Sequence, residues 1–195
     1  MNVQNKSFFL VVFLIINSCV GSSVTSIFGN AAITEGGVKS FVKDTYIHAK
    51  INSKLLKMDL SNFKDINVSV FEGRVLLTGR IKNEKKRLYL IKSIWRINGV
   101  NKIYNEIKLD ASYSIKEKTQ DVLLKAKLNT LLLFNPEINS NNYYIEVFKM
   151  VVYVLGIATK IDESIILENA INKTANVKKT ITFIRYIKER MERKE

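Results

Sequence analysis

The sequence predicts an α+β protein in which one helix–strand–strand–helix–strand unit occurs twice, each copy a three-stranded mixed sheet with two helices (αββαβ). Three observations predict it. The stretch Val70-Phe71-Glu72-Gly73-Arg74-Val75-Leu76-Leu77-Thr78-Gly79 places Val68, Val70, Val75 and Leu77 in alternation on either side of a Glu-Gly turn, the pattern of an antiparallel hairpin. A helical segment long enough for a right-handed crossover follows, so the strands it joins should run parallel. The whole pattern then returns, without a gap, at a constant offset of 77 residues.

The repeat is carried by identities along the chain. Asp44 aligns with Asp121, Ala49 with Ala126, Lys50 with Lys127, and Leu55-Leu56 with Leu132-Leu133. In the hairpin Val70, Phe71, Val75 and Gly79 meet Val147, Phe148, Val152 and Gly156, and in the crossover helix Leu90 and Ile94 meet Leu167 and Ile171. A domain of about 65 residues has a marginal core on its own, so the two copies are expected to pack on one another.

Each element has a local reason. The first helix is read from Asp44 as N-cap, with Ile47, Ile51 and Leu55 on one face. Residues 59–65 read as a polar loop. Gly73 supplies the turn of the hairpin and Gly79 a close backbone approach at its exit, as Gly156 does in the second copy. Asn83 caps the crossover helix, and Asn98-Gly99 ends it in the left-handed conformation Gly favours. The third strand spans 100–109, with Ile103, Asn105 and Ile107 on one face and Tyr104 and Glu106 on the other. In the second copy Met150 replaces the turn Gly and Asn176 the Gly before Val177. Met takes positive φ at a cost, so the second turn is expected to be longer or of another type.

Before the repeat lies an export signal. Lys6 precedes the apolar run Phe8 to Ile16, and nine helical residues span roughly 14 Å, about half a bilayer core. Residues 1–18 therefore read as a signal peptide rather than a membrane span. Ile16-Asn17-Ser18-Cys19 resembles a bacterial lipobox, which makes Cys19 the lipidation site. The alternative is an ordinary secretory signal cut nearby, with Cys19 a chance residue. Residues 19–39 are the lipidated cysteine and a Gly/Ser/Thr-rich tether, and 188–195 a charged tail of alternating sign. Val20 rather than Asp after the cysteine favours the outer membrane, facing the periplasm; a soluble periplasmic protein is the alternative.

Val70, Gly73, Val75, Leu77 and Gly79, followed by a helix and then by Gly99-Val100 and Asn105, resemble the BON domain. On this resemblance residues 40–110 are BON domain 1 and residues 116–187 BON domain 2. Signal, lipobox and two such domains resemble the dual-BON outer-membrane lipoproteins. That resemblance implies a non-enzymatic protein supporting envelope integrity and stress resistance, whose second domain docks on anionic phospholipid.

The residues themselves offer no catalytic constellation. His48 has no second His, and the single Cys belongs to the N-terminus, so neither a metal cluster nor a Cys/His pair can form. Asp162-Glu163 sits at a helix start and reads as a cap. No cofactor or metal is implied. The formal charge of +13 would suit nucleic acid or an anionic membrane, and export argues against nucleic acid. The functional candidate is the helix at 116–134. Lys54 and Lys57 of the first copy become Leu131 and Phe134, next to Lys125 and Lys127. An apolar end on a basic body suits a helix lying on an anionic bilayer. The alternatives are packing against the other domain, or an envelope protein partner.

Overall fold

The computed structural model describes residues 37–58, 63–109 and 112–187. The first copy comprises α1 (Gly37–Lys57), β1 (Ile66–Phe71), β2 (Arg74–Ile81), α2 (Glu84–Trp95) and β3 (Lys102–Leu109). The second comprises α3 (Ile115–Leu133), a 3₁₀ turn (Ser140–Asn142), β4 (Tyr143–Phe148), β5 (Val151–Ala158), α4 (Ile161–Asn172) and β6 (Lys179–Tyr186). The predicted α+β class holds. The sheets run β1-β2-β3 and β4-β5-β6, each with an antiparallel hairpin and a parallel pair across the crossover helix. The repeat is kept to the residue: Ile66 pairs with Gly79 where Tyr143 pairs with Gly156, and Gly79 with Ile107 where Gly156 pairs with Ile184.

Alternation along the strands sorts side chains to two faces, and both are buried. Val70, Val75, Leu77, Ile81 and Ile107 turn to Ile47, Ile51, Leu55, Leu90 and Ile94 of α1 and α2. In the second copy Val147, Val152 and Val154 pack on Leu124, Leu128, Leu132, Leu167 and Ile171 of α3 and α4. The opposite sheet faces meet in a third cluster, Phe71 and Leu76 against Phe148, Tyr153, Leu155 and Ile157. The layers are therefore helices, sheet, sheet, helices, and the expected packing of the copies is sheet on sheet. The face the sequence reads as polar is buried too, taking Ser69, Arg74, Thr78 and Glu146 with it.

Several local expectations change. Asp44 does not cap α1, which already runs from Gly37; the tether expected through residue 39 has become helix by then. The Asp44 carboxylate instead accepts the Glu72 and Gly73 backbone N–H groups at 2.7 and 2.8 Å. Asp121 does the same for Lys149 and Met150, again at 2.7 and 2.8 Å. The second turn is neither longer nor of another type. Lys149 and Met150 lie at φ 52° and 63°, beside 50° and 71° for Glu72 and Gly73. Two fixed N–H bonds to a carboxylate hold Met150 in a conformation it would otherwise avoid.

The close approaches at the hairpin exits are as expected. A Cβ on Gly79 would lie 1.9 Å from the Asp65 carbonyl oxygen, and one on Gly156 2.4 Å from that of Asn142. Asn83 caps α2 by accepting from the Lys86 N–H, and Gly99 takes φ 94°. Ser114 and Glu117 form a reciprocal capping box on α3. Glu163 in the first turn of α4 is buried and accepts from the Thr159 N–H and hydroxyl and from the Asn139 N–H. The expected polar loop at 59–65 ends in a buried group: Asp65 pairs with Arg80 at 2.8 Å and with Lys118 of the second copy. The signal, Cys19 and the tail at 188–195 lie outside the described residues.

Candidate functional site

Two surfaces gather charged and apolar side chains beyond what the cores need. The first is the seam between the sheets. Arg74, 2% exposed, donates to the Phe183 carbonyl at 3.0 Å and the Gly156 carbonyl at 2.8 Å. Burial pushes its pKa down, with Tyr104 and Glu72 acting in favour of the cation and Arg185 against it. Ser69 donates to Glu146 at 2.7 Å, a contact between equivalent positions of the two copies, and Lys125 meets the same carboxylate at 2.8 Å. Tyr104 stacks on Phe183 with ring centroids 4.1 Å apart. Burial raises the pKa of Tyr153 to about 12, with Glu106 adding to it. These contacts fasten copy to copy.

The second surface is the outer face of α3. Leu124, Leu128 and Leu132 face the core, and helical periodicity places Ile115, Val122, Ala126 and Leu133 on the opposite side. Val122, Leu123, Leu133 and Phe134 are 66%, 64%, 66% and 78% exposed, and Ile115 more so. The residues filling the strip between them, Thr119, Ala126, Asn129 and Thr130, are exposed and uncharged. Lys116 and Lys127 border it on one side and Lys118 and Lys125 on the other. A helix apolar on two faces buries one and shows the other.

The candidates read from the sequence divide here. Phe134 and Lys127 are exposed on this surface. Leu131 is half-buried against the second core. Lys125 pairs with Glu146 at 2.8 Å, which draws it toward the seam. Val122, Leu123 and Leu133 are found by helical periodicity, since Leu124, Leu128 and Leu132 turn inward and leave these three on the outer side. The gain of apolar surface over copy one is also narrower than the Lys54 and Lys57 exchange suggested. α1 exposes Val38, Val42, Tyr46 and Leu56, and the sheet-on-sheet packing turns that face away from the outer face of α3. The gains are Phe134 in place of Lys57, Val122 in place of Thr45, and Leu123 in place of Tyr46, whose ring Lys50 covers at 5.3 Å, set against Thr119 in place of Val42. Gly73, Gly79, Gly99 and Gly156 serve the fold. His48 is exposed and pairs with Asn52 at 3.2 Å. Among the described residues no helix is long and apolar enough to cross a membrane, and no metal-ligand cluster is present.

Hairpin, crossover helix and parallel third strand define a small α+β module used in tandem. Residues 43–111 match the BON domain model, and the chain belongs to the BON-domain family. An uncharacterized protein in the gshII 5′ region of Anaplasma centrale is 32% identical over 145 residues, 74% of this chain and 95% of that protein. The outer membrane lipoprotein DolP of Haemophilus influenzae is 23% identical over 122 residues, 63% of each chain. Among solved structures, the C-terminal domain of CdsD, a structural protein of the Chlamydia trachomatis type III secretion system, aligns at 14% identity and a TM-score of 0.29, covering 70% of this chain and 63% of that one. A second CdsD structure aligns at 9% and 0.32, covering 75% and 96%.

Proposed function

We propose that this protein is a non-catalytic, lipid-anchored envelope protein that docks on anionic phospholipid through the outer face of α3 and so supports outer-membrane integrity. The observation that carries the reading is the uncharged strip from Val122 to Phe134, bordered on its exposed side by Lys116 and Lys127. An apolar strip enters the acyl boundary while bordering cations stay among the headgroups, each contributing about 1 kcal/mol near an anionic surface. The DolP likeness and the lipobox at Cys19 support the compartment: outer membrane, facing the periplasm. Acyl chains on Cys19 would add about 0.8 kcal/mol per buried methylene.

Co-flotation with vesicles tests it, using the chain without residues 1–19 so that no acyl group contributes. Binding to phosphatidylglycerol vesicles, weakened by salt, is expected, with little to phosphatidylcholine. Leu123→Lys with Phe134→Lys should reduce that binding at least about tenfold while leaving stability within about 0.5 kcal/mol, as both side chains are exposed. Binding untouched by the double variant removes the claim. If vesicles are ignored but crosslinking in cells captures an envelope protein that the same variant loses, the surface is a protein-interaction module instead.

A further inference from the structure

A cleft of about 760 Å³ lies where the first turns of α1, the β1–β2 turn and the start of β3 meet β6 of the second copy. That volume falls within the usual range for small-ligand sites. Lys39 and Lys43 come from α1, Arg74 from β2, Lys102 from β3 and Arg185 from β6, so five cations line it against the carboxylates of Asp44 and Glu72. Asp44 is committed to the turn N–H groups. Glu72 lies 3.8 Å from Arg185. Arg74 and Arg185 each bury an Nε–H that has no acceptor in the protein, so the carboxylates present leave these guanidinium groups incompletely partnered.

At the equivalent place in the second copy Lys116 and Lys179 keep the positions of Lys39 and Lys102, and Lys149 stands where Glu72 is. Val151 stands where Arg74 is and Gln120 where Lys43 is. What sets this cleft apart is its two guanidinium groups, Arg74 from one copy and Arg185 from the other, which meet where the copies join.

We propose that this cleft binds a phosphate-bearing ligand, its oxygens received by the guanidinium groups of the floor and by Lys43 and Lys102 at the mouth. Guanidinium and ammonium groups together suit phosphate, the first through fixed paired donors and the second as a mobile point charge. The phosphate could belong to a soluble metabolite or to a lipid headgroup. The site is separate from the α3 surface, so it stands or falls independently of the docking proposed above.

Amide NMR titration of the full chain tests it, with inorganic pyrophosphate as the soluble probe and nanodiscs of phosphatidylglycerol as the lipid probe. Saturable shifts at Glu72, Gly73, Asn101 and Lys102 are expected with at least one of them. Lys43→Ala with Lys102→Ala should weaken that binding at least about tenfold, the two side chains being exposed and outside both cores. Leu123→Lys with Phe134→Lys should leave it unchanged. Shifts with pyrophosphate assign a soluble phosphorylated ligand, and shifts with nanodiscs alone assign the headgroup. No saturable shift with either probe, or shifts that the cleft variant leaves intact, overturns the proposal.

Discussion

The two hairpin turns share a conformation and differ in composition, and that difference separates what a glycine does from what an aspartate does. Glu72-Gly73 and Lys149-Met150 both sit in the left-handed region. In each copy a helix-borne carboxylate, Asp44 or Asp121, fixes the two N–H groups. The aspartate sets the conformation, which is why Met150 can occupy it. Glycine is demanded in the first copy by space. A Cβ at Gly73 would lie 2.4 Å from the Gly99 carbonyl oxygen, a backbone approach, and 2.8 Å from Asn101 Nδ2, whose side chain crosses the turn to donate to the Glu72 carbonyl. In the second copy Lys178 stands at that position, and it keeps only the backbone bond to the Met150 carbonyl.

The largest effect expected from breaking this comparison comes from Asp121→Ala. It removes the acceptor of three donors, the Lys149 and Met150 N–H groups and the Tyr113 hydroxyl, for a loss of about 3 kcal/mol in urea unfolding. Asp44→Ala removes two bonds and should cost about 2 kcal/mol. Burial raises the Asp44 pKa despite those backbone bonds, so its ionised form is held at some expense. A larger loss at Asp44 than at Asp121 would contradict the ranking by donors held, two at Asp44 and three at Asp121.

A second contrast is Asp65 against Asn142, its counterpart, with Arg80 against Ile157. Burial works against the Asp65 carboxylate, but Lys118 and Arg80 outweigh it and hold its pKa below the usual range. For a carboxyl lowered in the folded state, the stabilisation is present above the unfolded pKa of about 3.9 and is lost as pH falls through the native value. Asp65→Asn, which imitates the second copy, should therefore cost about 2 kcal/mol at pH 7. The gap to the parent protein should narrow as pH falls below about 4, and urea titrations at pH 7 and pH 3 check it. The smallest effect expected is a gain. Met150→Gly relieves the positive φ and should stabilise by about 1 kcal/mol, read as a raised denaturation midpoint.

Much of this was legible in the sequence because the repeat acts as an internal ruler. Strand order, the parallel crossover, Asn83 and the close approaches at Gly79 and Gly156 all follow from local pattern. The role of Asp44 did not, because a residue near a helix start reads as a cap unless the hairpin it reaches, twenty-eight residues later, is known to lie beside it. The seam was hidden for a related reason. Alternation marks Val70, Val75 and Leu77 for a core but does not say what covers Ser69, Arg74 and Thr78, which the second sheet buries. The lipid-facing candidate was half legible. Phe134 and Lys127 were in view, whereas Leu131 and Lys125 turn inward and Val122, Leu123 and Leu133 turn out.

The central claim is that the first helix of the second copy, and not that of the first, meets the membrane. A polarity-sensitive fluorophore can be placed at either of two equivalent exposed positions, through Phe134→Cys or Lys57→Cys, in the chain without residues 1–19, which leaves no other cysteine. With phosphatidylglycerol vesicles carrying quenchers in their acyl chains, the probe at position 134 should shift to the blue and be quenched, while the probe at position 57 stays in water. Equal quenching at the two positions, or quenching at position 57 alone, would contradict the account.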